Sequence, residues 1–200
     1  DQHFQVGSGT SLKQLAYDLE KRGIIEHPRF LVLLGHEQDV SRRLQAGEYT
    51  LRQGMDPRSL LQLLVHGKVI QHQLTLIEGQ TFREMMQRIK THSMITVTLD
   101  AHTDDEIMTR LGHPGLHPEG RFLPDTYSFP RGTTDLQFLE RAYLAMNQLL
   151  EAEWEQRTEG LPLATQDEAL VLASIIEKET GLASERPTIA GVFIRRLQKK

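Results

Sequence analysis

Near the end of one apolar run, two carboxylates stand two residues apart: Asp167-Glu168-Ala169-Leu170-Val171-Leu172-Ala173-Ser174-Ile175-Ile176-Glu177-Lys178-Glu179-Thr180-Gly181. Their chemistry would be proton transfer, provided the chain holds one of them in a suitable environment. Leu170, Ala173 and Ile176, with Leu172 and Ile175, recur at spacings of three and four, which predicts a helix with a wide apolar face. Thr165 or Asp167 would cap its start, and Gly181 would end it in the left-handed conformation. At about 100° per residue, Glu179 falls between the directions of Leu172 and Ile175 and continues the apolar stripe. Glu177 projects near the edge of that stripe and Lys178 to the far side. A carboxyl on a buried face is desolvated, which raises its pKa toward the range useful to a general acid. Periodicity alone also admits a plainer reading, a structural or surface Glu in the last turn of a helix.

Other chemistries find weaker footing. His113 and His117 are four apart, but Pro114 and Gly115 between them forbid a regular helix, and no carboxylate sits at a ligand-like offset, so no metal site is expected. No Gly-x-Ser-x-Gly elbow surrounds a serine, and Gly7-Ser8-Gly9 reads as a turn. There is no phosphate-cradling loop and no dinucleotide fingerprint, so no cofactor is expected. Two-carboxylate glycosidases hold their carboxyls roughly 5 to 9.5 Å apart across the scissile bond. Glu177 and Glu179, two apart on a helix, do not face each other. Asp125 could supply a second carboxylate if the fold brings it to the end of the helix.

The run ALVLASIIEKETGLASER, residues 169–186, resembles a signature of the endolytic murein transglycosylases, the MltG or YceG-like family. Glu119-Gly120-Arg121-Phe122-Leu123-Pro124-Asp125-Thr126-Tyr127 resembles that family's second signature, and the two occur in family order. The likeness spans nearly the whole chain, although before Ile95 it holds in pattern rather than in word. It implies a lyase, a lytic transglycosylase that cleaves the β-1,4 bond between N-acetylmuramic acid and N-acetylglucosamine in nascent peptidoglycan strands. One carboxyl protonates the glycosidic oxygen. The resulting carboxylate then takes the proton of the sugar's own C6 hydroxyl, closing a 1,6-anhydro ring without water. A single well-placed Glu suits this better than hydrolysis. Helical phase favours Glu179, and Glu179-Thr180 is similar to the Glu-Ser that follows such a helix in lysozyme-like transglycosylases. Glu177, Asp125, Tyr127, Glu185 and Arg186 then become substrate-contacting candidates. For Tyr127 the alternative is core packing with its hydroxyl tied off; for Glu185-Arg186 it is a surface ion pair.

The elements that must position these residues read as follows. Phe4-Gln5-Val6 alternates like a strand. Ser11 and Gln14 form a capping box for a helix through Leu12, Leu15, Ala16 and Leu19. Pro28 starts a second helix with Phe30, Leu31 and Leu34 inward and Gly35 after it. Leu44–Leu51 reads as a strand or hairpin, Asp56-Pro57 as a helix start ending at Gly67, and 68–77 as strand-like. Gly79-Gln80-Thr81-Phe82 repeats the pattern Gly9-Thr10-Ser11-Leu12, with Thr81 and Glu84 as a second capping box. Ile95–Leu99 is a strand candidate and Asp104–Leu111 a helix. Gly112–Pro118 is a loop, Pro124-Asp125 a turn, and Asp135–Trp154 a long amphipathic helix.

Two hundred residues, 38% hydrophobic and 25% charged, describe a globular protein. A net charge of −4 gives no basic surface for nucleic acid. The absence of cysteine excludes disulfides and thiol chemistry. No apolar run is long enough for a membrane span. The chain starts and stops like part of a longer protein, and the family implies a single-pass inner-membrane anchor before Asp1, with this region facing the periplasm. The expected fold is α+β: LysM-like strand–helix units, then a helix-rich, lysozyme-like catalytic portion that is incomplete here. The expected division is a small α+β module over 1–72 and, over 73–200, a LysM-like element followed by the partial catalytic domain. Expected partners are peptidoglycan glycan strands and, through the family, peptidoglycan synthases. The rival reading is a non-catalytic peptidoglycan-binding or scaffolding protein.

Overall fold

The computed structural model describes residues 2–7, 9–40, 43–51, 54–67 and 69–199. Asp1, Ser8 of the expected Gly7–Gly9 turn, Lys68 of the strand-like stretch and Lys200 lie outside the described residues. The fold is α+β, with helices and small two-stranded sheets. Residues up to Gln73 gather with Ser128–Thr133 into one compact unit, and Leu74–Tyr127 with Thr134 onward into a second. Neither unit is one continuous segment.

In the first unit, strand β1 (Gln2–Val6) pairs antiparallel with β2 (Gly47–Leu51), in a register that sets Phe4 opposite Tyr49. Between them in sequence lie helices α1 (Leu12–Lys21) and α2 (Pro28–Glu37), and after them α3 (Pro57–His66). The starts and stops follow local chemistry. The Ser11 hydroxyl accepts from Gln14 N–H, and the Asp56 carboxylate accepts from Arg58 and Ser59 N–H ahead of Pro57. Gly67, at φ 62°, closes α3. Leu15, Ala16, Leu19, Leu31, Tyr49, Leu60, Leu61 and Leu64 form the core, and the buried Tyr49 hydroxyl donates to the Gln45 carbonyl at 2.6 Å. Gly35 does not follow α2, as the sequence suggested, but lies within it. A Cβ there would come 2.2 Å from Leu12 Cδ2, so this glycine lets α2 approach α1. Phe30, expected inward, is exposed.

Strands β3 (Gln71–Thr75) and β4 (Thr126–Pro130) pair in a second two-stranded sheet, each contributing residues to both units. The second unit builds on α4 (Phe82–Thr91), α5 (Asp104–Arg110) and α6 (Asp135–Glu155). Each begins with a reciprocal capping box: Thr81 with Glu84, Thr103 with Glu106, Thr134 with Gln137. Phe82, Met86, Ile89, Leu99, Met108, Phe122, Phe138 and Leu139 are buried, with Phe82 stacked on Phe122 at 5.2 Å. The expected strand at Ile95–Leu99 reduces to a single bridge, Thr96 to Thr134. The segment is held instead by Asp135. This fully buried carboxylate accepts from Thr98 N–H and Leu99 N–H at 2.9 Å each and from the Thr98 hydroxyl. The turn read at Pro124-Asp125 leads straight into β4, a strand that sequence reading missed.

Helices α7 (Gln166–Glu179) and α8 (Arg186–Gln198) complete the unit. Neither carries a buried residue. Their apolar side chains, Val171, Leu172, Ile175, Phe193 and Leu197, line an open groove of about 680 Å³ whose polar members are Asp167, Glu168 and Arg196. Among the described residues no helix is long and apolar enough to cross a membrane.

Candidate active site

The first turn of α7 forms because the Thr165 hydroxyl accepts from Glu168 N–H, while the Glu168 carboxylate reaches back to Ala164 N–H at 2.6 Å. The segment of the second sequence motif lies against this end of the helix. Arg121 donates to Asp167 Oδ1 at 2.6 Å, and that bond holds the Asp167 carboxyl below its ordinary range. Gly120 adopts φ +75°, and a Cβ there would sit 3.6 Å from Leu170. Glu119 turns the other way and accepts from Phe82 N–H at 3.0 Å, at the start of α4. The first three residues of the motif thus tie α4 to α7.

The rest of that motif bonds to its own neighbours and to Leu76. The Asp125 carbonyl accepts from Leu76 N–H at 3.0 Å, and its carboxylate accepts from Thr126 N–H at 2.6 Å. The Tyr127 hydroxyl donates to the Leu123 carbonyl at 2.7 Å, and its ring meets Phe138 edge-on at 5.3 Å. Burial, helped by the nearby Asp125 carboxylate, pushes the Tyr127 phenol up to about 12. Of the two readings of Tyr127, core packing with a tied-off hydroxyl describes its observed contacts.

The far end of α7 meets the turn that precedes α4. Lys178, read from helical phase as lying on the far side of the stripe, is exposed but not without a partner. Its Nζ donates to the Gly79 carbonyl at 2.8 Å. Glu177 is half-buried and paired with Arg186 Nη2 at 2.9 Å, and Arg186 also lies 3.9 Å from Glu78. Glu185 does not pair with its neighbour. It accepts from the Thr180 hydroxyl at 2.6 Å, while Thr180 Oγ1 accepts from Leu182 N–H. Thr180, in an extended conformation, ends α7; Gly181 is not left-handed, contrary to expectation. Glu179 is exposed, and its carboxylate has no hydrogen bond or ion pair among the described residues.

This corrects the expectation of a desolvated Glu179. The stripe of Leu172 and Ile175 faces the open groove rather than a closed core, so its continuation reaches solvent. Of the sequence candidates, Glu177 and Arg186 meet directly and Glu185 lies one bond away through Thr180. Among the described residues, Asp125 and Tyr127 make no hydrogen bond or ion pair with Glu177 or Glu179. They approach only through the backbone, since Asp125 holds Leu76, at the head of the segment that carries Glu78 and Gly79. Glu78, Lys178, Glu119 and Arg121 were given no role from sequence. The signal for the first was Gly79 before a capping box, which marks a fixed turn but not what docks on it. The two histidines of the loop are otherwise occupied: His113 stacks on Tyr143 and His117 Nδ1 accepts from Glu119 N–H. Among the described residues no group of three or more His, Asp or Glu could hold a metal ion.

Comparison with known proteins gives a consistent set of likenesses. The model of the YceG-like family matches residues 4–200. A protein named endolytic murein transglycosylase from Streptococcus pneumoniae serotype 2 (strain D39 / NCTC 7466) is 26% identical over 97% of this chain and 40% of its own length. One of the same name from Bacillus subtilis (strain 168) is 25% identical over 99% of this chain and 59% of its own. The chain therefore spans about half the length of these relatives. A crystal structure of a yceG-like protein from Listeria monocytogenes, 23% identical, superposes with a TM-score of 0.45 over 99% of this chain and 70% of that one.

Proposed function

The chain belongs to the YceG-like family, and we propose from that premise that it carries part of a peptidoglycan lytic transglycosylase whose acid–base residue is Glu179. The observation that carries the reading is the division of labour at the end of α7. Glu177 is committed to Arg186, Lys178 to Gly79 and Thr180 to Glu185, while Glu179 alone in that turn is exposed without a partner among the described residues. A carboxyl that must meet a glycosidic oxygen has to be left open in this way. The relatives' names, endolytic murein transglycosylase, support the substrate class.

In the proposed reaction the protonated Glu179 donates to the glycosidic oxygen as the bond between N-acetylmuramic acid C1 and that oxygen breaks. The carboxylate so formed removes the C6 hydroxyl proton, and the C6 oxygen closes on C1 to leave a 1,6-anhydro end. Atoms and protons balance without water or cofactor, and Glu179 is restored. Desolvation of Glu179, which the chain itself does not supply, would come from the bound strand. Glu177, Arg186 and Glu185 border the position where the strand would pass. Asp125 and Tyr127 enter the proposal more distantly, through the backbone they hold. Murein lies outside the cytoplasmic membrane, so we place the site on that side. A single-pass inner-membrane anchor beyond this chain and proximity to peptidoglycan synthases belong to the same proposal.

The test is the rate of anhydro-muropeptide release from uncrosslinked glycan strands by the native protein. Glu179→Gln keeps shape but cannot carry the proton, and is expected to lower the rate at least about a hundredfold while strands still bind. Glu177→Gln is expected to be milder. An active Glu179→Gln beside an inactive Glu177→Gln would move the role to Glu177. If both stay active, the mechanism centred on this helix is wrong. Strand binding by the wild type without any anhydro product would favour a scaffold instead.

A further inference from the structure

The direction in which Glu179 points needs a physical cause, because α7 offers no buried side chain to fix its rotation. The ties at its last turn are polar. Lys178 Nζ donates to the Gly79 carbonyl at 2.8 Å, and Glu177 is paired with Arg186, which leans toward Glu78. Successive residues of a helix point about 100° apart, so fixing 177 and 178 fixes 179 as well. The anchor is itself immobilised from several sides. Leu76 N–H is held by the Asp125 carbonyl, Phe82 N–H by the Glu119 carboxylate, and Thr81 by its box with Glu84. Gly79 stands at φ +71°, a conformation open to glycine and costly for other residues, which sets where its carbonyl faces. Of the two ties, Arg186 is the less directional: its Nε is buried without a hydrogen-bond partner, and contact to both acids is through Nη2.

We infer that Lys178 is a positioning residue for the reaction at Glu179, acting by pinning the last turn of α7 to the Glu78–Gly79 turn. This inference rests on the functional reading above. It requires the ammonium to serve as a donor to the Gly79 carbonyl, while its charge also acts on the Glu84 carboxylate of the adjoining capping box. An exposed lysine making a chance contact would leave the reaction untouched when replaced.

The experiment compares Lys178→Met, Lys178→Arg and Glu179→Gln in the native protein, with anhydro-end release from uncrosslinked glycan strands analysed for kcat and KM separately. Thermal melts run alongside. Lys178→Met keeps the length of the side chain and removes the donor. Misplacement of a reacting group by about 1 Å can cost up to about a hundredfold. Lys178→Met is therefore expected to lower kcat by about 10- to 100-fold with KM changed less than about threefold, and to shift Tm by no more than about 2 °C. Lys178→Arg, which keeps a donor, is expected to recover most of kcat. If Glu179→Gln is inactive and Lys178→Met turns over at the wild-type rate, the inference is overturned while the functional reading stands. If Lys178→Met loses rate and melting temperature together and Lys178→Arg restores neither, the residue is merely structural and the inference is again overturned. An active Glu179→Gln refutes the functional reading, and the inference falls with it.

Discussion

Replacing Asp135 by alanine removes the one acceptor shared by four donors. Thr98 N–H and Leu99 N–H both point at Oδ2, the Thr98 hydroxyl at Oδ1, and the Leu136 N–H of the first α6 turn also reaches Oδ1 at 2.9 Å. With the carboxylate gone, three backbone donors lose their partner, and the two of the 98–99 segment, of which Leu99 N–H sits in a buried bond, cost about 1–3 kcal/mol each. Lost charge at the start of α6 adds about 0.5 kcal/mol, and relief of the desolvated carboxylate offsets part of the sum. The net expected loss is about 3–4 kcal/mol. Asp135→Asn separates the contributions. An amide oxygen placed where Oδ2 stood keeps both backbone donors of Thr98 and Leu99. The hydroxyl of Thr98 can turn to accept from the new NH₂, leaving only Leu136 N–H facing a donor. That variant should cost about 1–2 kcal/mol. Urea unfolding followed by tryptophan fluorescence is a suitable assay, because the chain has a single tryptophan, Trp154, and it lies in α6. A loss below about 1 kcal/mol for Asp135→Ala, or an Asn variant as damaged as the Ala variant, would refute this account of how 98–99 is held.

Two further outcomes follow from packing and burial. Gly35→Ala places a methyl group 2.2 Å from Leu12 Cδ2, so it should destabilise the first unit by about 1–3 kcal/mol, and combining it with Leu12→Ala should recover part of that loss in urea denaturation followed by far-ultraviolet circular dichroism, since Trp154 lies in the second unit. The Tyr127 phenol, raised from 10.0 to about 12, favours the fold while neutral. The unfolded chain releases that proton first, so stability is intact below about pH 10 and declines as pH rises from about 10 toward 12. Tyr127→Phe should flatten this decline, and the near-ultraviolet tyrosinate titration of the folded protein should lose its latest component.

The parts of the fold written in short-range chemistry were legible. Ser11, Asp56 and Thr81 cap helices because a hydroxyl or carboxylate satisfies backbone donors two or three residues on, and that pattern needs no knowledge of the rest of the chain. Gly35 misled because a glycine near a helix end looks like a terminator, whereas here the space claimed by Leu12 is what excludes a side chain. Ile95–Leu99 alternates like a strand, yet the donors of Thr98 and Leu99 are taken by the distant Asp135 and that of Ile95 by His92. For the candidate site, the motif and the unpaired Glu179 could be singled out by resemblance and phase. Its burial could not, because a stripe of apolar residues does not say whether it faces a core or a groove. Lys178 and Glu78 were unreadable for a related reason: their partners are set by tertiary docking and lie about a hundred residues away in sequence.

That separation has a consequence in time. The bond from Lys178 to Gly79 spans 99 residues, and the loops closed by Glu119 on Phe82 and by Asp125 on Leu76 are long as well. At about 5–20 residues per second of synthesis, the turn at Gly79 leaves the ribosome roughly 5–20 s before the lysine that completes its contacts. Closing a loop of that length carries an entropic penalty that must be met before any docking energy is gained. The local helices can therefore be present well before the last turn of α7 is seated, and the arrangement around Glu179 should mature only after them.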